Sequence, residues 1–301
     1  MKEKEHRSGF VSIVGRPNVG KSTLLNRMVG AKVAIVSDKP QTTRNRIQAV
    51  LTRPEAQVIF LDTPGIHKAK HRLGQYMVKV ALQTLKEVDL VLFIVEAHSP
   101  FGPGDKFVLN RLKDAGTPAI LGINKIDLVP RESLLPLISD LQQKHDFTAI
   151  VPVSALKGDN MDGLVAEIIR HLPPGPRYYP AEAVTDQPEQ FVIAELIREK
   201  VLQLTREEVP HGVTVVVEEV VPRHGKVLFI RAVVYTEKDS HKGILLGGRG
   251  RMVKKVGQMA RAEIEALFGT RVYLDLWVKV KQNWRRNETF LGEFGYRPDR
   301  W

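Results

Sequence analysis

Residues 15–22 read Gly15-Arg16-Pro17-Asn18-Val19-Gly20-Lys21-Ser22 and match G-x-x-x-x-G-K-[S/T], the pattern of a phosphate-binding loop. An apolar run, Phe10–Val14, precedes the loop and is typical of a buried strand. Lys21–Val29 follows with the apolar spacing of a helix. A glycine-rich turn between a strand and a helix lets backbone N–H groups and the positive end of the helix dipole point at phosphate oxygens. The stretch therefore predicts a nucleotide site.

Two side chains of the loop have chemistry that a nucleoside triphosphate requires. We expect Lys21 to bridge the β- and γ-phosphates and Ser22 to ligate Mg²⁺. Thr23, the next residue of the predicted helix, completes the candidate set at this loop.

Apolar runs and amphipathic stretches alternate up to residue 175, which is the pattern of βαβ units and a mostly parallel sheet. Ile47–Leu51 and Val58–Leu61 predict an antiparallel hairpin beside the parallel strands. We expect an α/β domain with helices on both faces of the sheet. The remaining predicted strands are Leu90–Val95, Ala119–Ile123 and Ile150–Val153, and the remaining predicted helices are Tyr76–Leu85, Lys106–Lys113, Leu134–Lys144 and Met161–His171.

The base is indicated by Asn124-Lys125-Ile126-Asp127, which follows a predicted strand. An aspartate carboxylate can accept hydrogen bonds from N1–H and the N2 amine of guanine, whereas adenine offers neither group. The motif therefore favours GTP over ATP, although the same four residues also suit a helix start with Asp127 as an exposed cap. Ser154-Ala155-Leu156-Lys157, at the end of the next strand, is expected to close over the base through backbone contacts.

Two further segments point to the metal and the γ-phosphate. Asp62-Thr63-Pro64-Gly65 ends a predicted strand, so that Asp62 can hold Mg²⁺ through water while the Gly65 N–H faces the γ-phosphate. Gln41-Thr42-Thr43-Arg44 lies in a polar stretch between the two motifs. We expect Thr43 to complete the metal shell when a γ-phosphate is present, with Thr42 as the alternative.

The residues expected to act in hydrolysis are Asn18, Lys21, Thr43 and Gly65. Ile66 follows Gly65 where Ras-like GTPases carry a glutamine that orients the attacking water, so unaided hydrolysis is expected to be slow. Asn18 lies within the phosphate-binding loop, and its alternative role is to stabilise the turn. His67 and His71 lie in the loop that follows, and we expect both to be solvated rather than catalytic.

A second domain follows Leu172-Pro173-Pro174-Gly175-Pro176, which is typical of a linker. We expect a nucleotide-binding domain at residues 1–175, a linker at 176–190 and an α+β domain with a C-terminal tail at 191–301. Its predicted order is helix, strand, strand, short helix, helix and strand: Val192–Leu204, Val213–Val221, Val227–Thr236, a helix ending near Leu246, Met252–Phe268 and Val272–Val280.

Basic charge is concentrated in this second domain. Residues 222–286 carry 15 basic and 5 acidic side chains, whereas residues 182–219 carry 3 basic and 9 acidic ones. The basic block contains Gly247-Gly248-Arg249-Gly250 between two predicted helices. A G-x-x-G loop of this kind lets a KH domain approach the backbone of about four nucleotides. The alternative is an ordinary glycine-rich turn between helices.

The candidate RNA-binding residues surround this loop and extend to the last strand. Arg249, Lys254 and Lys255 are expected to neutralise phosphates. Ile244 and the two leucines after it either pack beneath bases or fill the core, and Trp284 either joins an aromatic rim or anchors the tail. The full candidate set is Ile244, Gly247, Gly248, Arg249, Gly250, Arg251, Lys254, Lys255, Trp277 and Lys279.

Overall composition agrees with a polyanionic partner and narrows the protein class. The 301 residues carry a net charge of +11 and no cysteine, which excludes disulfides, thiolate zinc sites and cysteine nucleophiles. No apolar run reaches the ~18 residues of a membrane-spanning helix, and the N-terminus lacks the apolar stretch of a secretion signal. We therefore expect a cytoplasmic protein.

The motifs GRPNVGKS, QTTR, DTPG, NKID and SALKG, in this order and spacing, resemble those of translation-factor-class GTPases. With the second domain, the whole chain resembles the bacterial Era GTPases, and the helix–strand order of that domain resembles a type II KH fold. The resemblance implies a GTP/GDP cycle with Mg²⁺, in which loops around residues 37–46 and 65–76 order on the γ-phosphate. It also implies binding of the 3′ region of 16S ribosomal RNA and a role in late assembly of the 30S subunit. Asn18 occupies the position at which related GTPases hold K⁺ near the phosphates. We expect a monomer.

Two other function classes stay open at this stage. A membrane-associated regulatory GTPase linked to the cell cycle or cell division would bring the basic block to anionic lipid, with peripheral contact at the inner face of the membrane. A metabolic enzyme that uses GTP as a phosphoryl donor would need an acceptor site, and the sequence shows no further catalytic constellation for one.

Overall fold

The computed structural model describes residues 5–66, 69, 71–223 and 227–296. They form two compact units, and the chain passes from the first to the second between Asp186 and Gln187. Two short segments, Ser37–Thr42 and His71–Leu73, group with the second unit. His67 lies outside the described residues, so the prediction made for it is not addressed by the structure.

The first unit is built on a six-stranded sheet of order β2-β3-β1-β4-β5-β6. All neighbours are parallel except β2 and β3, which form the predicted antiparallel hairpin. The strands are β1 (Arg7–Val14), β2 (Ile47–Arg53), β3 (Ala56–Asp62), β4 (Leu90–Glu96), β5 (Ala119–Asn124) and β6 (Ala149–Pro152), and the helices are α1 (Lys21–Val29), α2 (Arg72–Lys86), α3 (Pro103–Ala115), α4 (Leu134–Gln142) and α5 (Met161–His171).

Both faces of this sheet are covered. Every residue of β3, β4 and β5 is buried, and successive strand residues point to opposite faces. On one side, Val91 and Phe93 share a core cluster with Ala81 of α2 and Val108 of α3. Near-continuous apolar strands are what a parallel sheet between two layers of helices requires. The sheet order also places the carboxyl ends of β1, β3, β4 and β5 along one edge, where ligands bind in open α/β sheets.

Part of the segment predicted as a linker lies along this unit. The Gln57 side-chain oxygen accepts hydrogen bonds from the backbone N–H groups of Tyr178, at 2.7 Å, and Tyr179, at 2.9 Å. The Val50 N–H donates to the carbonyl of Val184 at 2.8 Å. The chain therefore stays hydrogen-bonded to the β2–β3 hairpin until shortly before the second unit begins.

The second unit has a three-stranded sheet of order β7-β8-β9, in which β7 and β8 are antiparallel and β8 and β9 parallel. Its core joins one face of the sheet to α6 and α8 through residues spaced four apart, among them Ile193, Ile197, Val256 and Ala260. The elements are α6 (Glu189–Leu204), β7 (Thr214–Arg223), β8 (Val227–Thr236), α7 (Asp239–Leu246), α8 (Arg251–Phe268), β9 (Arg271–Val280) and α9 (Glu288–Glu293).

The tail after β9 is folded, and it decides between the two roles left open for Trp284. Trp284 is 0% exposed, and its indole N–H donates to the Gly212 carbonyl at 3.0 Å. Its ring stacks on Tyr296 and meets Phe294 edge to face. Trp284 therefore anchors the tail and offers no surface for a nucleic-acid base. Arg285, the next residue, pairs with Glu237.

Candidate nucleotide site and nucleic-acid surface

The loop after β1 turns sharply at glycines that no other residue could replace without a clash. A Cβ on Gly15 would lie 2.6 Å from the Ile94 carbonyl oxygen, and one on Gly20 would lie 2.4 Å from the Asn124 amide nitrogen. Gly20 also adopts φ 96°, in the left-handed region that favours glycine, and directly precedes α1. The loop is therefore packed closely against β4 and the guanine motif, with the helix N-terminus behind it.

Lys21 is the buried cation of this site, with 6% of its surface exposed. Its ammonium group donates to the backbone carbonyls of Gly15, at 3.3 Å, and Arg16, at 3.1 Å. Burial lowers the pKa of Lys21 to about 8, and the nearby Asp62 carboxylate opposes that shift. An ammonium group held only by loop carbonyls can turn its donors to phosphate oxygens.

Three oxygen-bearing side chains meet beside Lys21. The Ser22 hydroxyl donates to the Asp62 carboxylate at 2.8 Å, and the hydroxyl oxygens of Ser22 and Thr43 lie 3.0 Å apart. Thr43 also donates to Asp62 at 3.3 Å. Burial raises the pKa of Asp62 to about 6, against the opposing effects of Lys21, Ser22 and Thr43.

This cluster fits Mg²⁺. The second carboxylate oxygen of Asp62 is buried and makes no hydrogen bond within the described part of the chain, and such an oxygen is a natural acceptor for a metal-bound water. Mg²⁺ prefers hard oxygen ligands and is usually held by one or two protein groups together with substrate phosphates. Thr42, the alternative to Thr43, donates its hydroxyl to the Lys39 carbonyl at 2.6 Å, so the arrangement favours Thr43 as the ligand.

The guanine motif is tied to the phosphate-binding loop and to the loop after β6. The Asn124 amide donates to the Val19 carbonyl at 2.8 Å, and its oxygen accepts from the Ala155 N–H at 3.0 Å. Lys125 donates to the Asn18 carbonyl at 3.0 Å. Asp127 is exposed, and the Ser154 hydroxyl holds one of its carboxylate oxygens at 2.5 Å. The Asp127 carboxylate is thus oriented while still open to a base. Leu156, in the loop after β6, is 70% exposed.

In the segment that follows Asp62, the Gly65 backbone borders the nucleotide site, whereas the neighbouring side chains pack in the core. A Cβ on Gly65 would lie 2.9 Å from the Pro17 nitrogen, so this backbone runs directly against the phosphate-binding loop. The Thr63 hydroxyl donates to the Ile13 carbonyl at 3.0 Å, and Pro64 is buried. Ile66 is 1% exposed within the core cluster of the sheet. The side chains of Thr63 and Ile66, both predicted to bind nucleotide, therefore serve the core.

Sequence reasoning missed two acids near the phosphate-binding loop. Arg16 was predicted to bind nucleotide, but its guanidinium contacts Glu96 and lies 3.2 Å from Asp105. Lys125 also contacts Glu96. The available signal was an acidic residue at the end of a fully apolar strand, Leu90–Glu96.

The G-x-x-G loop of the second unit separates α7 from α8. Gly247, Arg249 and Gly250 adopt φ values of 64°, 57° and 76°, so three of its four residues lie in the left-handed region. Gly248 and Arg249 are exposed. The cations that follow at the start of α8, Arg251, Lys254 and Lys255, are exposed as well. The loop therefore presents bare backbone beside three to four positive charges, which suits a phosphodiester chain.

A groove of about 300 Å³ opens between α8 and β9. Its α8 side combines a small residue, Gly257, with the polar ends of Gln258 and Arg261, and its β9 side includes Leu274 and Leu276. Apolar walls with a few polar groups suit a base that must be both stacked and recognised by hydrogen bonds. Among the residues that line this groove, Lys254 was predicted to contact RNA. The sequence does not group the others, because residues of α8 and β9 meet only in the folded unit.

The predicted RNA-binding residues do not share one surface. Leu274 and Leu276 face α8, whereas Trp277, which is 56% exposed, and Lys279 alternate with them and lie on the other face of the sheet. Lys279 also lies 3.8 Å from Glu218. On α7, Ile244 is 50% exposed, whereas Leu245 belongs to the core cluster and Leu246 packs against it. Of these apolar residues, only Ile244 is available to contact a base.

Comparison with known proteins agrees with both sites. A family model described as a 50S ribosome-binding GTPase matches residues 10–125, and a KH domain model matches residues 208–285. Era of Aquifex aeolicus, in a crystal structure with GDP·AlF4⁻, is 44% identical over 96% of this chain and 99% of that chain, with a TM-score of 0.94. The chain belongs to the Era family of GTPases.

A second Era structure matches over the same length. It is a complex with MgGDPNP and nucleotides 1506–1542 of 16S ribosomal RNA, 44% identical over 97% of this chain and 99% of that chain, with a TM-score of 0.95. Era-family membership confirms the predicted fold class, a P-loop GTPase domain followed by a KH domain. It also confirms the predicted activity, GTP hydrolysis.

None of the helices within the described ranges has the length and apolar character needed to span a membrane.

Proposed function

We propose that this protein is a GTP-hydrolysing switch that binds the 3′ region of 16S ribosomal RNA and assists late assembly of the 30S subunit. The observation that carries the proposal is that one chain holds a P-loop with a Ser22–Thr43–Asp62 oxygen cluster and a KH domain with an exposed G-x-x-G loop. An Era protein 44% identical to this chain has been crystallised with MgGDPNP and that RNA region together, which supports both ligands.

The geometry of the first unit supports Mg²⁺-assisted hydrolysis of GTP. Lys21 would contact the β- and γ-phosphates, and Ser22 and Thr43 would hold Mg²⁺ with Asp62 behind it. The metal, when bound, would neutralise the charge that develops on the phosphates. The Gly65 backbone, close to Pro17, would then face the γ-phosphate, and Asp127 would select guanine.

Slow unaided turnover and a role for K⁺ form part of the proposal. Ile66 is buried in the core and has no polar atom for the attacking water, so the chain itself supplies no glutamine-like group there. Asn18 is exposed on the phosphate-binding loop with φ 66°. We infer that its side chain holds K⁺ beside the phosphates. Single-turnover hydrolysis should be faster in K⁺ than in Na⁺, and Asn18→Ala should abolish the difference; equal wild-type rates in the two salts would contradict this role.

Binding of RNA is expected at the loop and groove of the KH domain. Arg249, Lys254 and Lys255 would neutralise phosphates, while Gln258 and Arg261 would contact bases in the groove. The decisive test is a binding titration with an RNA of 16S nucleotides 1506–1542 and with a scrambled RNA of the same length. Gly248→Asp, which adds a negative charge and a side chain beside Arg251, should abolish specific binding and leave GTP hydrolysis intact.

The assembly role requires a separate experiment in cells. Depletion should cause accumulation of 30S precursors with unprocessed 16S RNA, and the Gly248→Asp variant should not restore maturation. Accumulation of 50S precursors instead would overturn the assignment to the small subunit.

Nucleotide state is proposed to change RNA affinity. GTP and RNA can influence each other only if both favour the same conformational state. Support comes from the Era structure that holds MgGDPNP and the 16S RNA fragment at the same time, so that one state of that protein binds both ligands. Equal RNA affinity in complexes with GDP and with a GTP analogue would contradict the coupling.

We further propose a cytoplasmic, monomeric protein. The ribosomal partner supports a cytoplasmic location, and sedimentation equilibrium tests the oligomeric state. The competing assignment, a membrane-associated GTPase of the cell cycle, predicts flotation with vesicles that contain anionic lipid, through the basic block of residues 222–286. Flotation and RNA gel shifts at matched salt concentration separate the two assignments.

A further inference from the structure

Glu96 is a buried acid placed between the two motifs of the nucleotide site. It is the last residue of β4, and only 7% of its surface is exposed. One carboxylate oxygen contacts the guanidinium of Arg16, in the phosphate-binding loop. The other contacts the ammonium group of Lys125, in the guanine motif. Both cations therefore share a single carboxylate.

The position of Glu96 follows from the order of the strands. β4 lies between β1, which leads into the phosphate-binding loop, and β5, which ends at the guanine motif. Glu96 pairs in register with Asn124, the first residue of that motif. A side chain at this strand end can reach both loops at once.

Each cation also contacts a second group that the nucleotide site needs. Lys125 donates to the carbonyl of Asn18 at 3.0 Å, so it holds the phosphate-binding loop from the guanine side. Arg16 lies 3.2 Å from Asp105, which itself caps the start of α3 by accepting from the Gly102 N–H at 3.1 Å. The cluster thus links the loops after β1 and β5 with the start of α3.

The energetics favour a positioning role. A carboxylate this deeply buried is unfavourable unless it is paired and hydrogen-bonded. Loss of the Glu96 charge would remove the anion that contacts Lys125 and one of the two anions near Arg16. Here the partners that would lose their anion are both in nucleotide-binding motifs. A surface ion pair would have little such effect, because solvent compensates for its loss.

We propose that Glu96 is a positioning residue that joins the phosphate-binding loop to the guanine motif, so that the triphosphate and the base are held as one ligand. The inference rests on guanine-nucleotide binding as proposed above. Without the Glu96 charge, Arg16 and Lys125 repel each other, and the two loops separate more readily. Both GDP and GTP should then dissociate faster, by about tenfold or more, with a smaller effect on association.

The test is stopped-flow dissociation of fluorescent GDP and GTP from the full chain, with melting temperatures measured alongside. Glu96→Gln keeps the shape of the side chain and removes its charge, whereas Glu96→Asp keeps the charge and should restore part of the lost residence time. Asp114→Asn, at an exposed acid that pairs with Arg111 within α3, is the matched control and should leave both dissociation rates unchanged.

A purely structural role of Glu96 would lower the melting temperature and leave the dissociation rates of GDP and GTP unchanged. Dissociation rates of Glu96→Gln within twofold of wild type would overturn the proposal, even if the melting temperature falls. If Glu96→Gln does not fold, Arg16→Gln provides the second test: it removes one of the two links and should accelerate dissociation less than tenfold but measurably. Failure of the wild-type chain to bind guanine nucleotides would refute the proposed function, whereas normal wild-type binding with unaffected variants would refute only this inference.

Discussion

The hydroxyl oxygens of Ser22 and Thr43 lie 3.0 Å apart although 21 residues separate them in the chain. Both hydroxyls also approach the same Asp62 oxygen, at 2.8 Å and 3.3 Å. Three polar groups on three different segments thus form one cluster beside a buried lysine. The other carboxylate oxygen of Asp62 is buried and has no hydrogen-bond partner among the described residues, so the arrangement is more favourable with a cation than without one.

The two threonines at 42 and 43 should behave differently. Thr43→Ala removes an oxygen from the metal cluster and should weaken Mg²⁺ affinity in the complex with a GTP analogue by about tenfold or more. Thr42→Ala removes only the hydrogen bond to the Lys39 carbonyl and is the matched control. Mg²⁺ titrations of analogue binding measure the effect. Equal loss in the two variants would show that loop stability, rather than metal ligation, is what Thr43 provides.

The pKa of Asp62 predicts how the stability of the nucleotide-free protein changes with pH in EDTA. Burial raises this pKa from 3.8 to about 6, so the folded state binds more protons than the unfolded state between these values. The contribution of Asp62 to the free energy of unfolding is therefore present below pH 4 and lost as pH rises through 6. Asp62→Asn does not titrate.

Urea unfolding at pH 4.5 and pH 6.5 checks this prediction. The variant should gain stability relative to wild type on going to the higher pH. A difference between variant and wild type that stays constant across the window would show that Asp62 titrates at its ordinary pKa.

Asp127 should determine which base is accepted. An asparagine at this position replaces one carboxylate oxygen, a hydrogen-bond acceptor, by an NH2 group, a donor. This donor faces the N1–H and N2 amine donors of guanine unfavourably, but it can donate to the C2 carbonyl of xanthine. Asp127→Asn should lower kcat/KM for GTP by at least about 100-fold and make XTP the better substrate. Hydrolysis assays with both nucleotides measure the change, and unchanged preference for GTP would assign Asp127 to capping alone.

The sequence predicted those parts of the site in which a few consecutive residues determine the local backbone geometry. The phosphate-binding loop needs glycines where a Cβ would clash, as at Gly15 and Gly20, so the residue types reveal the geometry. Regular alternation predicted β9 in the same way, with Val272 and Val278 buried and Trp277 exposed. Period and residue type sufficed because both properties are local.

What sequence did not predict depends on contacts between distant segments. Glu96 is 80 residues from Arg16, and only the strand order brings the two together. Gln258 of α8 and Leu274 of β9 line the same groove, although they are distant in the sequence. Thr42 and Thr43 are chemically equivalent in the sequence, and only the path of the loop separates a metal ligand from a loop hydrogen bond.

Salt dependence should identify the phosphate contacts of the KH domain. Each cation that neutralises a phosphate releases counterions, so log K falls with log salt by about 0.7 per contact on single strands. Lys254→Ala should reduce the slope by about that amount and weaken binding to all RNAs alike. Lys113→Ala, a charge removal of the same size in α3 of the first unit, is the control and should leave the slope unchanged. An unaltered slope for Lys254→Ala would remove this residue from the interface.

Trp277 and Trp284, the two tryptophans within the described part of the second unit, should separate stability from binding. Trp284 is fully buried, hydrogen-bonded to Gly212 and stacked on Tyr296, so Trp284→Ala should lower the free energy of unfolding by about 3–5 kcal/mol. Trp277 is 56% exposed and should cost less than about 1 kcal/mol when replaced by alanine. Because Trp277 lies on the sheet face away from α8, its replacement should also leave affinity for the RNA unchanged. Urea unfolding and RNA titrations of both variants measure these effects, and a loss of RNA affinity in a stable Trp277→Ala protein would extend the RNA surface to the second face of the sheet.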